Sequence, residues 1–134
     1  MNVVSTIRKQ TKQSLIDNNG KIVSENVELF ENQIDWSSKI NQTRDSDLDL
    51  GHVAQLLLDI KSRGLENRPI VEFDSSSGLY RIVSGHHRLE ALKRITQEEG
   101  TTVEKIPVTV VSFDSNFDRQ FFTQTENHHP PVKS

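Results

Sequence analysis

Ser84-Gly85-His86-His87-Arg88 is the stretch of this chain whose residue types and order fit one kind of chemistry. Tyr80 to Val83 before it read as a strand. Leu89, Leu92 and Ile95 after it recur at helical spacing. The five residues therefore sit where a strand turns into a helix. A glycine at such a junction lets the backbone approach a ligand and take angles that other residues resist. The N–H groups at a helix start, with the positive end of its dipole, favour an anion. Arg88 in the first turn can fork onto phosphate oxygens, and the imidazoles of His86 and His87 can donate to the same oxygens. From Tyr80 to Ile95 the basic residues Arg81, Arg88, Lys93 and Arg94 oppose only Glu90. A local positive site of this kind suits a phosphate ligand. The competing reading is an ordinary glycine before a helix and a solvated surface arginine. Gly-x-Gly-x-x-Gly and the Walker lysine are both absent.

Other chemistry-bearing residues point less sharply. His52, His86, His87, His128 and His129 raise a metal reading. Adjacent His86 and His87 point about 100° apart on a helix, unlike the i, i+4 pair that chelates well. A histidine-built site needs the turn and the tail to meet, and a solvated tail is the plainer reading of His128-His129. Asp45, Asp47 and Asp49 alternate in a polar loop. They fit either Mg²⁺ beside a triphosphate or the acids that precede a helix. Phe117, Phe121 and Phe122 are candidates to stack on bases, but Phe117 and Phe121 at i, i+4 read as core. Trp36 reads as packing on the first strand.

The elements that must position these residues are mostly readable. Asp49 is placed to cap a helix from about Leu50 to Arg63, in which Val53, Leu56, Leu57 and Ile60 mark one buried face. Gly64 supplies its stop. Ile70 to Phe73 form a short apolar strand, Asp74 to Gly78 a turn cluster, and Leu79 to Val83 a second strand antiparallel to the first. The helix from His86 ends before Gly100. Ile106, Val108 and Val110 alternate with polar residues, and Val111 and Phe113 extend that strand. Asp114 is placed to cap a last helix bearing the three phenylalanines. Upstream, Val27 to Asp35 read as a short strand ending near Trp36, and Ser37 to Asp47 as a loop. Asp17-Asn18-Asn19-Gly20, between Leu15-Ile16 and Lys21-Ile22-Val23, signals a hairpin turn. A mobile extension is the alternative there. Pro130-Pro131 make the tail irregular. The order helix, strand, strand, helix, strand, helix is that of a compact α+β domain.

Composition sets the bounds. The chain has 134 residues, enough for one domain with its own core. Apolar residues make up 33% and charged residues 26%, which implies a small core under much polar surface. With no cysteine, disulfides and thiol catalysis are excluded and a reducing compartment is expected. Met1 to Gln10 lack the apolar core of a secretory signal. No apolar run approaches the ~20 residues of a membrane helix, so a cytoplasmic protein with no membrane partner is expected. The net charge of -3 and a pI near 5.9 disfavour indiscriminate coating of duplex DNA.

Tyr80-Arg81-Ile82-Val83-Ser84-Gly85-His86-His87-Arg88-Leu89-Glu90-Ala91 resembles the second box of ParB N-terminal domains, which runs from a strand into Gly-Glu-Arg-Arg with a following Ala. Gly85, Arg88 and Ala91 hold its framework positions. Gly64 to Val71 resemble the preceding Gly-x-x-Gln-Pro-Ile box, Asn41-Gln42-Thr43-Arg44 the polar loop before the first helix, and Glu126-Asn127 the start of the Glu-Asn-x-x-Arg box. Pro130 stands where that last box carries Arg. His86-His87 makes the turn more like Asp-Gly-His-His-Arg of the free serine kinases of the same superfamily, with Ser84 in place of their Asp. Sulfiredoxin has Gly-Cys-His-Arg, and a chain without cysteine cannot perform its chemistry.

The resemblance implies a ParB/sulfiredoxin-like α+β fold, a small mixed sheet with three or so helices. The expected division is an extension with a weak hairpin over 1–32, the domain over 33–129 and an irregular tail over 130–134. The implied ligand is a nucleoside triphosphate such as CTP or ATP, carried with Mg²⁺. Ser84, Gly85, His86, His87 and Arg88 would hold its phosphates, helped by Arg44, Glu126 and Asn127, with Glu126 also on the metal. An NTPase or phosphotransferase would draw its catalytic groups from Glu31, Asp35 and His87. The alternative is a DNA-binding or nuclease-like module without its own helix-turn-helix, and a silent adaptor is a third option. A homodimer or a larger parent chain is the expected assembly.

Overall fold

The computed structural model describes residues 7–37 and 49–127. In chain order these form α1 (Lys9–Asp17), β1 (Gly20–Leu29), a 3-10 turn (Glu31–Gln33), β2 (Ile34–Asp35), α2 (Leu50–Arg63), β3 (Ile70–Asp74), β4 (Leu79–Ser84), α3 (His86–Gln97), β5 (Ile106–Phe113) and α4 (Asn116–Asn127). The five strands make one mixed sheet in the order β1-β5-β3-β4-β2. β1 with β5 and β3 with β4 are antiparallel; β3 with β5 and β2 with β4 are parallel. This is the α+β class expected from the sequence.

Helices cover both faces of the sheet, which explains the near-continuous apolar runs in β3 and β5. Neighbouring residues on a strand point to opposite faces. Val71, Ile82 and Val110 pack on one side with Val53 and Ile60 of α2 and Leu89, Leu92 and Ile95 of α3. Ile70, Val83 and Val111 pack on the other side with Leu15 of α1 and Phe122 of α4. The α2 reading holds at both ends: the Asp49 carboxylate accepts from the His52 N–H at 3.1 Å, and Gly64 follows the last turn.

Three expectations give way. The hairpin around Asn18-Asn19-Gly20 is a helix-to-strand turn. Asn18 caps α1, Asn19 takes φ 57°, and Gly20 begins β1. Asn-Gly favours a positive-φ turn whatever element precedes it, and here Leu15 faces inward from a helix. Residues 9–29 are also not a separate extension, since β1 is an edge strand of the sheet, pairs along β5, and carries Leu29 into the core. On α4, Phe122 is the buried phenylalanine, whereas Phe117 is 66% and Phe121 48% exposed. The buried face runs through Arg119, Phe122 and Thr123, so a charged residue concealed its period.

Arg119 fixes α4 to the sheet. Its Nε donates to Glu72 Oε1 of β3 at 2.6 Å, and its other nitrogens donate to Asn116 Oδ1. Glu72 Oε2 accepts from the Phe113 N–H at 2.9 Å. A buried pair so fully hydrogen-bonded holds one geometry. Near the other end of α4, the Thr123 hydroxyl donates to the Val83 carbonyl at 3.3 Å. Together these contacts lay the end of α4 beside the β4–α3 junction.

Candidate functional site

At that junction Gly85 is the N-cap of α3, with φ 87° and ψ 35°, and no side chain caps the helix. The left-handed conformation is one that L residues resist. Space is short as well. A Cβ on Gly85 would stand 3.1 Å from Pro69 Cα and 3.3 Å from Arg88 Nη1. The absent side chain therefore lets Arg88 fold back beneath the turn, where Nη1 donates to the Asn67 carbonyl at 3.1 Å.

Arg88 lies in a cleft walled by Ile7, Arg8, Thr11, Asn67, Arg68, Ile70, Ser84, Thr109 and Glu126. The cavity measures about 20 Å³, the room of one water, so a larger anion meets these groups at the rim. Burial lowers the Arg88 pKa below its ordinary value, the charge of Arg8 adds to this, and Glu126 opposes it. Arg88 stays cationic even so. Among the described residues neither Arg88 nor Arg8 forms a salt bridge. Arg68 Nη1 donates to the carbonyls of Val27 at 3.3 Å and Val108 at 3.1 Å, tying the cleft wall to β1 and β5. Burial, with Glu28 opposing, lowers the Arg68 pKa also. Glu126 accepts from the Thr11 hydroxyl at 3.4 Å.

The structure thus brings Ser84, Gly85, Arg88 and Glu126 together, and turns the two histidines another way. His87 Nε2 accepts from the Asp49 N–H at 3.2 Å, and its ring meets that of His52 edge-on at 4.9 Å. His87 thus faces the start of α2. The His86 ring lies 6.5 Å from that of His87. Burial and Lys93 lower the His86 pKa against the pull of Glu90, so His86 favours the neutral form. The two carboxylates proposed as bases stand elsewhere. Glu31 Oε1 accepts from Gln97 at 2.8 Å, at the far end of α3 and roughly 16 Å along its axis from the turn. Asp35 is engaged by the Ser37 N–H and hydroxyl, and pairs in register with Arg81, about 10 Å along β4 from Ser84. Trp36 packs as expected, donating to the Glu31 carbonyl at 2.9 Å with Lys93 over its ring.

The positive stretch seen in the sequence is largely neutralised in space. Arg81 pairs with Glu72 and Asp74, and Lys93 and Arg94 pair with Glu90. Sequence could not show the pairing of Arg81, because Glu72 and Asp74 belong to another strand. The guanidiniums that line the cleft are those of Arg88, Arg68 and Arg8. Sequence reasoning missed the last two. A signal for Arg8 was present, since Ile7, Thr11 and Leu15 at spacings of four mark one inward face beside it. Arg44, Asp45, Asp47, His128, His129, the tail and the side chain of Asn127 lie outside the described residues. Among the described residues there is no group of three or more His, Cys, Asp or Glu placed to hold a metal. No helix among them is long and apolar enough to cross a membrane.

Residues 16–127 match the ParB N-terminal domain. No curated protein sequence matches. Among solved structures, the fold is similar to that of the C-terminally truncated chromosome-partitioning protein ParB from Caulobacter crescentus, complexed with CTP-γ-S. The TM-score is 0.59 at 18% identity, over 77% of this chain and 52% of that one. The chain therefore spans about half the length of the ParB chain it matches.

Proposed function

The chain belongs to the ParB N-terminal domain family, and from that premise we propose that it binds a nucleoside triphosphate through the Gly85–Arg88 turn. The observation that carries this reading is Arg88, a guanidinium folded into a cleft where it forms no salt bridge among the described residues and where Glu126 is the carboxylate acting on it. A buried charge is costly until it is paired, and phosphate oxygens are the partner its fork fits. The uncapped first turn of α3 offers N–H donors and a positive dipole end to the same anion. Ser84 adds a hydroxyl at the rim. The ParB relative with CTP-γ-S supports CTP as the first nucleotide to test.

Magnesium fits this donor set as an ion carried by the nucleotide. Mg²⁺ is usually bound by one or two carboxylates together with substrate phosphates. Glu126 is the carboxylate that lines the cleft and would hold it; the ion would neutralise phosphate charge. This chain's own residues would bind and orient the phosphates, the main source of catalysis in phosphoryl transfer. Hydrolysis of the nucleotide, or transfer of its terminal phosphoryl group to a hydroxyl, is the finer activity we propose.

Phosphorus NMR of CTP and ATP with Mg²⁺, with and without the protein, tests binding and turnover together. Broadened or shifted phosphate resonances that recover with Arg88→Ala are the expected result, and appearance of orthophosphate would establish hydrolysis. Identical spectra for the wild type and the free nucleotides would refute the reading.

A further inference from the structure

Arg8 and Thr11 wall the cleft, yet both precede the matched residues 16–127. They come from α1 and the residue before it. The position of α1 is fixed from several sides. Leu15 is buried with Phe122 of α4, Thr11 is buried and donates to Glu126, and the Ile7 N–H donates to Glu25 Oε1 of β1 at 3.4 Å. Arg8 itself is exposed while lining the cleft, so its guanidinium stands at the rim. Among the described residues it has no salt bridge, and it faces a second guanidinium, Arg88, across the opening. The charge of Arg8 acts on Arg88, and in the cleft lining three guanidiniums, of Arg8, Arg68 and Arg88, meet one carboxylate, Glu126, so a further anion at the opening relieves the excess of positive charge. With an interior of about 20 Å³, the anion itself must sit at the rim, within reach of Arg8.

We infer that Arg8 is a further phosphate-binding residue, supplied by α1 from outside the family's matched region, and that it takes the outer phosphates of a polyphosphate whose other oxygens meet the Gly85 turn and Arg88. This rests on the nucleotide reading above and extends it to a preference by phosphate number. A monophosphate satisfies the turn and leaves Arg8 without a partner, whereas a triphosphate spans both. Arg8 also gives the chain affinity for inorganic tripolyphosphate, because its contact involves no base or sugar.

Titration calorimetry on the full chain decides this, using CTP with Mg²⁺, CMP and inorganic tripolyphosphate as probes against wild type, Arg8→Ala, Arg8→Lys and Arg88→Ala. Arg8→Ala should weaken CTP and tripolyphosphate by about tenfold or more, the scale of one charge-assisted hydrogen bond. It should leave CMP within about twofold, and Arg8→Lys should restore part of the loss. Arg8 is exposed, so its variants should melt with the wild type, which a thermal scan checks. Wild-type affinity of Arg8→Ala for CTP, with binding lost in Arg88→Ala, would overturn the role of Arg8 and leave the nucleotide site standing. An equal loss for CMP and CTP would overturn the preference by phosphate number. Failure of the wild type to bind any of the probes would overturn both.

Discussion

Replacing Gly85 with alanine probes the turn on which the proposed site depends. Gly85 has φ 87°, where an L residue costs about 1–2 kcal/mol. The new Cβ would stand 3.1 Å from Pro69 Cα and 3.2 Å from Pro69 Cβ. Pro69 has little freedom to yield, because its carbonyl accepts the Thr109 N–H of β5 at 2.9 Å. A shift of the turn or of Pro69 should add about 1 kcal/mol, for a total of roughly 2–3 kcal/mol, within the range for a strained backbone position. Gly78→Ala is the control. Gly78 has φ 75° with nothing within 4 Å of the added Cβ, so it should lose the conformational part alone. Urea unfolding measures both variants, and roughly 3–5 °C of melting temperature should go with each kcal/mol. Arg88 Nη1 is 3.3 Å from the same Cβ, so nucleotide affinity should fall in Gly85→Ala and hold in Gly78→Ala. Equal losses of stability in the two variants would refute the claim that close packing, and not conformation alone, requires glycine at 85.

Other consequences follow from the same structure. Glu72→Ala leaves Arg119 buried without its carboxylate and should cost about 3–5 kcal/mol, read by denaturant unfolding. Phe122→Ala should cost about 3–5 kcal/mol, and exposed Phe117→Ala within about 1 kcal/mol of neutral, which calorimetric melting distinguishes. Asp49→Ala removes the α2 cap and should cost about 1 kcal/mol by chemical denaturation. The His86 pKa is lowered from its ordinary 6.5, so the unfolded chain takes this proton first as pH falls. Stability should therefore decline below about pH 6.5 and level off below the folded value, and His86→Gln should remove that part of the pH profile of the melting temperature.

What the sequence disclosed depended on how local the determining contacts are. α2 was legible to its ends because a cap, a four-residue apolar face and a terminal glycine all lie within Asp49–Gly64. The strand-turn-helix around Gly85 was legible for the same reason. α1 was not, since its nine residues include only Leu15 and Ile16 as apolar signals, and its burial against α4 is a long-range event. The face of α4 was misread because Arg119 points inward to Glu72, a residue 47 positions away. Pairing across neighbouring strands hid the neutralisation of Arg81 by Glu72 and Asp74 of β3, and with it the fact that Arg88 is the basic residue of its stretch that lines the cleft.

The most direct measurement is a thermal-shift comparison of the wild type with Arg88→Ala, each with CTP, ATP, ADP and GTP in the presence of Mg²⁺. A nucleotide at a hundred times its dissociation constant adds about 2.7 kcal/mol to the stability of the folded state. Stabilisation of the wild type by a triphosphate, lost in an Arg88→Ala protein that still folds, is the predicted result. A flat response to all four nucleotides, or equal stabilisation of the two proteins, would contradict a phosphate site built on the Gly85–Arg88 turn.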